Sequence, residues 1–113
     1  MKVSSSRAGV VAVLHLEGEF DIFETPALEE DLTGRVARGD ARFVIDLGRV
    51  SFVSSSTLAF LIRAQRSVRE KGGEVVLANP GRGLLRILTT LGLTQLFRVV
   101  SSVEEGVAAL RPA

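Results

Sequence analysis

Asp46-Leu47-Gly48-Arg49-Val50-Ser51-Phe52-Val53-Ser54-Ser55-Ser56-Thr57-Leu58 contains the most conspicuous local bias of the chain, a run of hydroxyl side chains where a strand gives way to a helix. Phe43 to Leu47, just ahead of it, is a nearly continuous apolar run, as expected of a strand covered on both faces. Gly48 to Val53 reads as a short crossing. Beyond the hydroxyls, Leu58, Leu61, Ile62, Gln65 and Val68 mark one face of a helix running from about Ser55 to Lys71, closed by Gly72-Gly73. Ser54 to Thr57 therefore sit at a helix N-terminus. Free backbone N–H groups and the positive end of the helix dipole stabilise an anion there, so an added phosphate can be accommodated. A serine at such a point is equally a good N-cap. Ser54 or Ser55 fits the capping position, and Ser56 falls just inside the helix with its hydroxyl directed outward.

Outward from this segment the pattern alternates. Lys2 to Ser6 and Val10 to Leu16 read as two strands of a hairpin turned at Ala8-Gly9. Thr25-Pro26 reads as an N-cap followed by proline at the first helical position, and Leu28, Leu32 and Val36 continue at helical spacing to Gly39. Val75 to Ala78 is a strand stopped by Asn79-Pro80. Leu84, Ile87, Leu88 and Leu91 form a helical stripe closed by Gly92, and Phe97 to Val100 returns as a strand. The last helix starts at Ser101 or Ser102, each followed three residues on by a glutamate in capping-box spacing. The order β-β-α-β-α-β-α-β-α gives an α/β fold with a mostly parallel sheet joined by right-handed crossovers. Leu14, Leu16, Ile45, Leu58, Leu61, Ile62, Leu77, Leu88 and Leu91 are the expected core.

With 113 residues, 46% of them hydrophobic, the chain has the size and mixture of one compact domain. A net charge of +1 gives no general electrostatic reason to bind nucleic acid or an anionic membrane. No apolar run approaches the ~20 residues of a membrane span, and Met1 to Arg7 lacks the apolar stretch of a secretory signal, so a cytoplasmic protein is expected. Without cysteine there is no disulfide and no thiolate chemistry.

Enzymatic chemistry is poorly supplied. His15 is the single histidine and falls in a strand, so a Ser-His-Asp arrangement requires it to meet a serine and an acid by tertiary contact; a strand-face histidine in a structural or solvent contact is the expectation. No metal or other cofactor is expected, since Glu29-Glu30-Asp31 and Glu104-Glu105 read as acids complementing helix dipoles. Gly81-Arg82-Gly83 lacks the lysine and spacing of a phosphate loop and reads as a turn. Arg63, Arg66 and Arg69 form a drifting stripe, and the phenylalanines do not interleave with a basic cluster, so no base-stacking platform is predicted.

The segment quoted first resembles the stretch of STAS domains in which the central strand is followed by an aspartate, two small or hydroxyl residues and a glycine. Gly18-Glu19-Phe20-Asp21 is similar to that family's Gly-Glu-apolar-Asp turn, and Gly72-Gly73-Glu74-Val75 to its helix-to-strand turn. Leu91 to Phe97, followed by Ser102-Val103-Glu104-Glu105, is similar to its C-terminal signature. The resemblance spans about Val10 to Leu110 and is closest to the anti-sigma factor antagonists. It implies a β-α superhelix with four helices stacked mainly on one face of the sheet, and a non-enzymatic switch in transcription regulation. Such an antagonist binds an anti-sigma factor that is itself a serine kinase, is released by phosphorylation, and is reset by a serine phosphatase.

Carried over by position, the phosphoacceptor is Ser56, with Ser55, Ser54 and Thr57 as lesser candidates. The implied partner surface combines the Phe20 to Phe23 loop, Phe20 and Asp21 in particular, with Ser54 to Thr57, since both segments follow parallel strands and share one edge of the sheet. Two residues depart from the pattern. Ser54 replaces the aspartate and removes a charge a kinase can read, and Thr57 replaces the glycine with a β-branched residue that hinders close backbone approach. Two other functions fit the same fold: a constitutive assembly subunit of a signalling scaffold or lipid-transport ATPase complex, never phosphorylated, and binding of a nucleotide or other small anion at the helix mouth.

Overall fold

The computed structural model describes residues 2–112. The strands are β1 (Lys2–Ala8), β2 (Val11–Phe20), β3 (Arg42–Val53), β4 (Glu74–Ala78) and β5 (Arg98–Val100). The helices are α1 (Thr25–Ala37), α2 (Ser55–Arg69), α3 (Arg82–Thr90) and α4 (Val103–Leu110), with a 3-10 turn at Leu93–Gln95. One sheet holds the strands in chain order, β1-β2-β3-β4-β5, with β1 antiparallel to β2 and the rest parallel. Because each parallel strand is added on the same side of its predecessor, right-handed crossovers place α1, α2 and α3 on one face. α4 follows the last strand and covers the other.

Period-two alternation divides the side chains between the two faces. Leu14 and Leu16 of β2, Phe43, Ile45 and Leu47 of β3, and Val75 and Leu77 of β4 meet Leu28, Leu32, Phe60, Leu61 and Leu88 from the helices. Val11, Val13, Val44, Val76 and Ala78 point the opposite way, onto Val107 and Leu110 of α4. α4 lies close to the sheet, for a Cβ at Gly106 would sit 3.0 Å from both methyl groups of Val44. Its start carries the expected capping box, shifted by one residue. Ser102 Oγ accepts the Glu105 N–H at 3.1 Å, and the Glu105 carboxylate reaches the Ser101 N–H and hydroxyl.

Gln65 is fully buried in the main core and fully satisfied. Its amide donates to the Val75 and Leu96 carbonyls, and its oxygen accepts the Val75 N–H at 2.7 Å, tying α2 to the start of β4. At the sheet's antiparallel edge, Arg7 donates to Asp40 at 2.7 Å, a hydrogen bond and charge contact that raise the guanidinium pKa.

Several elements depart from their sequence expectation. β2 runs on to Phe20, and β3 continues through Gly48 to Val53 instead of ending in a crossing. The two pair from Glu17↔Arg49 to Phe20↔Val53 past register shifts at His15/Glu17 and Gly18/Glu19. Those irregularities and the two glycines hide the alternation. Glu24, not Thr25, holds the N-cap position of α1, and Arg82 and Gly83 lie inside α3, with Gly81 at its N-cap. Phe97 is buried but precedes β5. Leu14, Leu16, Ile45, Leu61, Leu77 and Leu88 are buried as expected. Leu58 and Ile62 are only half-buried, because the inward stripe of α2 is Thr57, Phe60, Leu61, Ala64, Gln65 and Val68. Leu91 is exposed; α3 ends at Thr90, and the chain turns through Gly92 at φ 72°.

Leu61 lies on that inward stripe, so Leu61→Ala is expected to lower the unfolding free energy by about 2–5 kcal/mol. An unchanged urea midpoint would contradict this orientation of α2.

Candidate functional site

β2 and β3 end side by side at one rim of the sheet, and the candidate site is built on that juncture. The Phe20 carbonyl accepts the Ser54 N–H at 2.8 Å, carrying the ladder one step beyond the strands. Ser54 is extended (φ −82°, ψ 166°) and caps α2, its Oγ accepting the Thr57 N–H at 3.3 Å. Thr57 is fully buried. Its hydroxyl donates to the Phe20 carbonyl at 3.0 Å and lies 2.8 Å from the Thr25 hydroxyl, which in turn is 2.9 Å from the Asp21 carbonyl. A hydroxyl has one proton and two lone pairs, so with Thr57 donating to Phe20 the Thr25 proton is shared between the Thr57 hydroxyl and the Asp21 carbonyl. Thr25 is thus a link between α1 and α2, which explains why it does not cap its own helix.

Asp21 shapes the loop that follows β2. Its Oδ1 accepts the N–H groups of Phe23 (2.9 Å) and Glu24 (3.0 Å), closing a turn just ahead of α1. This turn pushes Ile22 and Phe23 outward, with Phe23 85% exposed. Phe52, near the end of β3, is also exposed.

The residues expected at the site are therefore brought together, in different roles. Ser54 is committed to capping. Phe20 and Thr57, expected on the surface, are buried beneath it: Phe20 enters the core at the end of a longer β2, and Thr57 begins the inward stripe of α2. Thr57 accordingly adds no bulk outside, and its hydroxyl is closed to modification. Ser55 is exposed and Ser56 half-buried, and neither hydroxyl makes a hydrogen bond among the described residues. The first turn of α2 contains no acidic residue, so the positive end of its dipole carries no carboxylate. Ile22 and Phe23 belong to the Phe20 to Phe23 loop expected at the partner surface, whereas Phe52 went unweighted in the sequence, although it is a large apolar residue.

His15 lies elsewhere, on the face of β2 that carries Val11 and Val13. It does meet a serine and an acid: Nδ1 is 2.8 Å from Asp46 Oδ2, and Nε2 is 3.1 Å from Ser6 Oγ. The other carboxylate oxygen of Asp46 accepts the Gly48 N–H at 3.0 Å. The three side chains tie β1, β2 and β3 together. Among the described residues no group of three or more His, Cys, Asp or Glu side chains could hold a metal, and no helix is long and apolar enough to cross a membrane.

A sheet built in chain order, with a run of hydroxyls opening its second helix at the rim, is the architecture of a STAS domain. Residues 3–101 match the family model described as Mlab, STAS domain, and the chain belongs to the STAS domain family. Anti-sigma-F factor antagonist RsfB of Mycobacterium tuberculosis is 32% identical over 101 residues, 89% of this chain and 82% of that protein. The crystal structure of an anti-sigma factor antagonist from Mycobacterium paratuberculosis is 25% identical and superposes with a TM-score of 0.89, covering 98% of this chain and 94% of that one. The Bacillus cell fate determinant SpoIIAA in its phosphorylated form shares the fold, with a TM-score of 0.78 at 19% identity over 97% of this chain and all of its own.

Thr57→Val keeps the volume but strips the hydroxyl from a buried polar chain. It is expected to lower the unfolding free energy by about 1–3 kcal/mol. Urea denaturation with the parent's midpoint would show that the Thr25–Thr57–Phe20 contacts contribute nothing.

Proposed function

We propose that this chain is an anti-sigma factor antagonist whose binding is switched by phosphorylation of Ser56. The observation that supports this reading is the division of labour among the four hydroxyls: Ser54 caps, Thr57 is buried, and only Ser55 and Ser56 keep unbonded side chains at an acid-free helix N-terminus. Between those two, the position of the family's phosphoacceptor selects Ser56. The relatives' names supply the partner, an anti-sigma factor, and the family resemblance adds that it is a serine kinase. In this reading the protein acts in the cytoplasm, without a cofactor, and is not itself an enzyme.

The unmodified rim binds the anti-sigma factor and frees the sigma factor. The kinase then transfers the γ-phosphoryl group of a bound nucleoside triphosphate to Ser56 Oγ, which gives up its proton as the nucleoside diphosphate leaves. A charge of about −2 at this point is favoured by the helix dipole, so the fold tolerates it, but it sits with its bulk inside the interface and expels the partner. Hydrolysis by a serine phosphatase restores the binding form. A second reading, a constitutive STAS assembly subunit that is never phosphorylated, is favoured by one observation, the replacement of the family's aspartate by Ser54.

Ser56→Asp is expected to weaken anti-sigma factor binding at least about tenfold, roughly 1.4 kcal/mol, while leaving the circular dichroism spectrum and thermal midpoint unchanged. Mapping the phosphate after incubation with the purified kinase is the direct check. Phosphate on Ser55 would overturn the choice of residue, and a kinase that binds without phosphorylating would establish the constitutive reading.

A further inference from the structure

A single histidine completes a Ser-His-Asp arrangement only by tertiary contact, and β1, β2 and β3 supply that contact. Ser6, His15 and Asp46 share one face of the sheet, where α4 leaves the His15 and Asp46 side chains 38% and 25% exposed. An ionised carboxylate only accepts, so Asp46 Oδ2 at 2.8 Å fixes the proton of the neutral imidazole on Nδ1. Nε2 is left as an acceptor, and Ser6 Oγ donates to it at 3.1 Å. The serine proton is thus aimed at a base that an acid orients, the relation a nucleophilic serine requires.

The acid is held in turn. Asp46 Oδ1 accepts the Gly48 N–H, which reserves Oδ2 for the ring. A Cβ at residue 48 would crowd both Asn79 Nδ2, at 2.7 Å, and Asp46 Oδ1, at 3.3 Å, so glycine leaves the carboxylate undisturbed. Strand pairing does not depend on the cluster. β1 is laddered to β2 from Lys2↔Glu17 to Ala8↔Val11, and β2 to β3 from Ala12↔Phe43 onward. Hydrogen bonds added at a solvent-open place contribute little beyond such ladders, so a purely structural role leaves the alignment of all three groups unexplained.

We propose that Ser6 is a reactive nucleophile, activated by His15 and Asp46, that accepts an acyl group from a small activated ester. The substrate class follows from the surroundings. Ser6 stands exposed on an edge strand with few walls to bind or strain a substrate, so the acyl donor must bring a good leaving group of its own. Ser6 Oγ attacks the ester carbonyl carbon as its proton passes to His15 Nε2, and the Asp46 carboxylate stabilises the imidazolium so formed. The bond from that carbon to the leaving oxygen then breaks, and the departing oxygen takes the proton from Nε2. An ester remains on Ser6, and one alcohol is released. The step modifies this chain and needs no turnover. It takes place on the face of the sheet opposite α2 and does not depend on phosphorylation of Ser56.

The test exposes the full chain to p-nitrophenyl acetate and follows acetylation of each serine by peptide mass spectrometry. Ser5, exposed and one residue away on the opposite face of β1, is the internal reference. Ser6 should be acetylated at least about tenfold faster than Ser5. His15→Gln should bring that ratio to about one, and Asp46→Asn should lower it at least about threefold. Loosening of β1 would change both serines together, so the ratio separates loss of activation from loss of fold. A ratio near one in the parent, a high ratio that survives His15→Gln, or acetylation confined to Lys2 or His15 would each overturn the inference.

Discussion

The Phe20 carbonyl is the point from which the whole rim is organised. It receives the Ser54 N–H just beyond β3 and the Thr57 hydroxyl from α2, while its own side chain is locked in the core. A buried carbonyl without partners is costly, so this acceptor fixes both the exit of β3 and the angle at which α2 begins. Through Thr25 the same network reaches the Asp21 loop. The serines of α2 and the apolar loop after β2 therefore hold one position relative to each other, as a preorganised recognition surface requires.

Replacement of the family's glycine by Thr57 belongs to this network. Viewed from outside, a β-branched residue next to a phosphoacceptor is an obstruction. In the structure the side chain is turned inward, and its hydroxyl joins three chain segments. Ser54 similarly retains the capping geometry that an aspartate can provide, without the charge. Both departures preserve the shape of the helix start, and the one at Ser54 removes a charge from it.

Much of this was readable from the residues alone. Helices between strands, joined by right-handed crossovers, force a mostly parallel sheet, and the hydroxyl run was visible as the start of α2. What escaped depended on contacts between elements distant in sequence. The outer halves of β2 and β3 lack an apolar run, and glycines and register shifts break their alternation. Only pairing with each other makes Glu17 to Phe20 and Arg49 to Val53 strands, and the burial of Phe20 follows from that. The rotation of α2 was misjudged for a related reason. The spacing marks an arc that rightly includes Gln65 but extends to Leu58 and Ile62, whereas the inward face is turned toward Thr57, whose hydroxyl donates to a carbonyl of β2. Polar side chains with buried partners elsewhere give no local signal.

The strand order has a consequence for biosynthesis. Because every strand pairs with its predecessor in the chain, each one emerging from the ribosome finds its neighbour already present, and none must wait for a later segment. The two faces do not mature together. α1, α2 and α3 arrive between the strands they bridge and close the first face as it is laid down, whereas α4 follows β5. Until it emerges, Val11, Val13, Val44 and Val76 form a bare aliphatic strip on the nascent sheet. Docking of Val107 and Leu110 ends that exposure, so the last helix completes the second core.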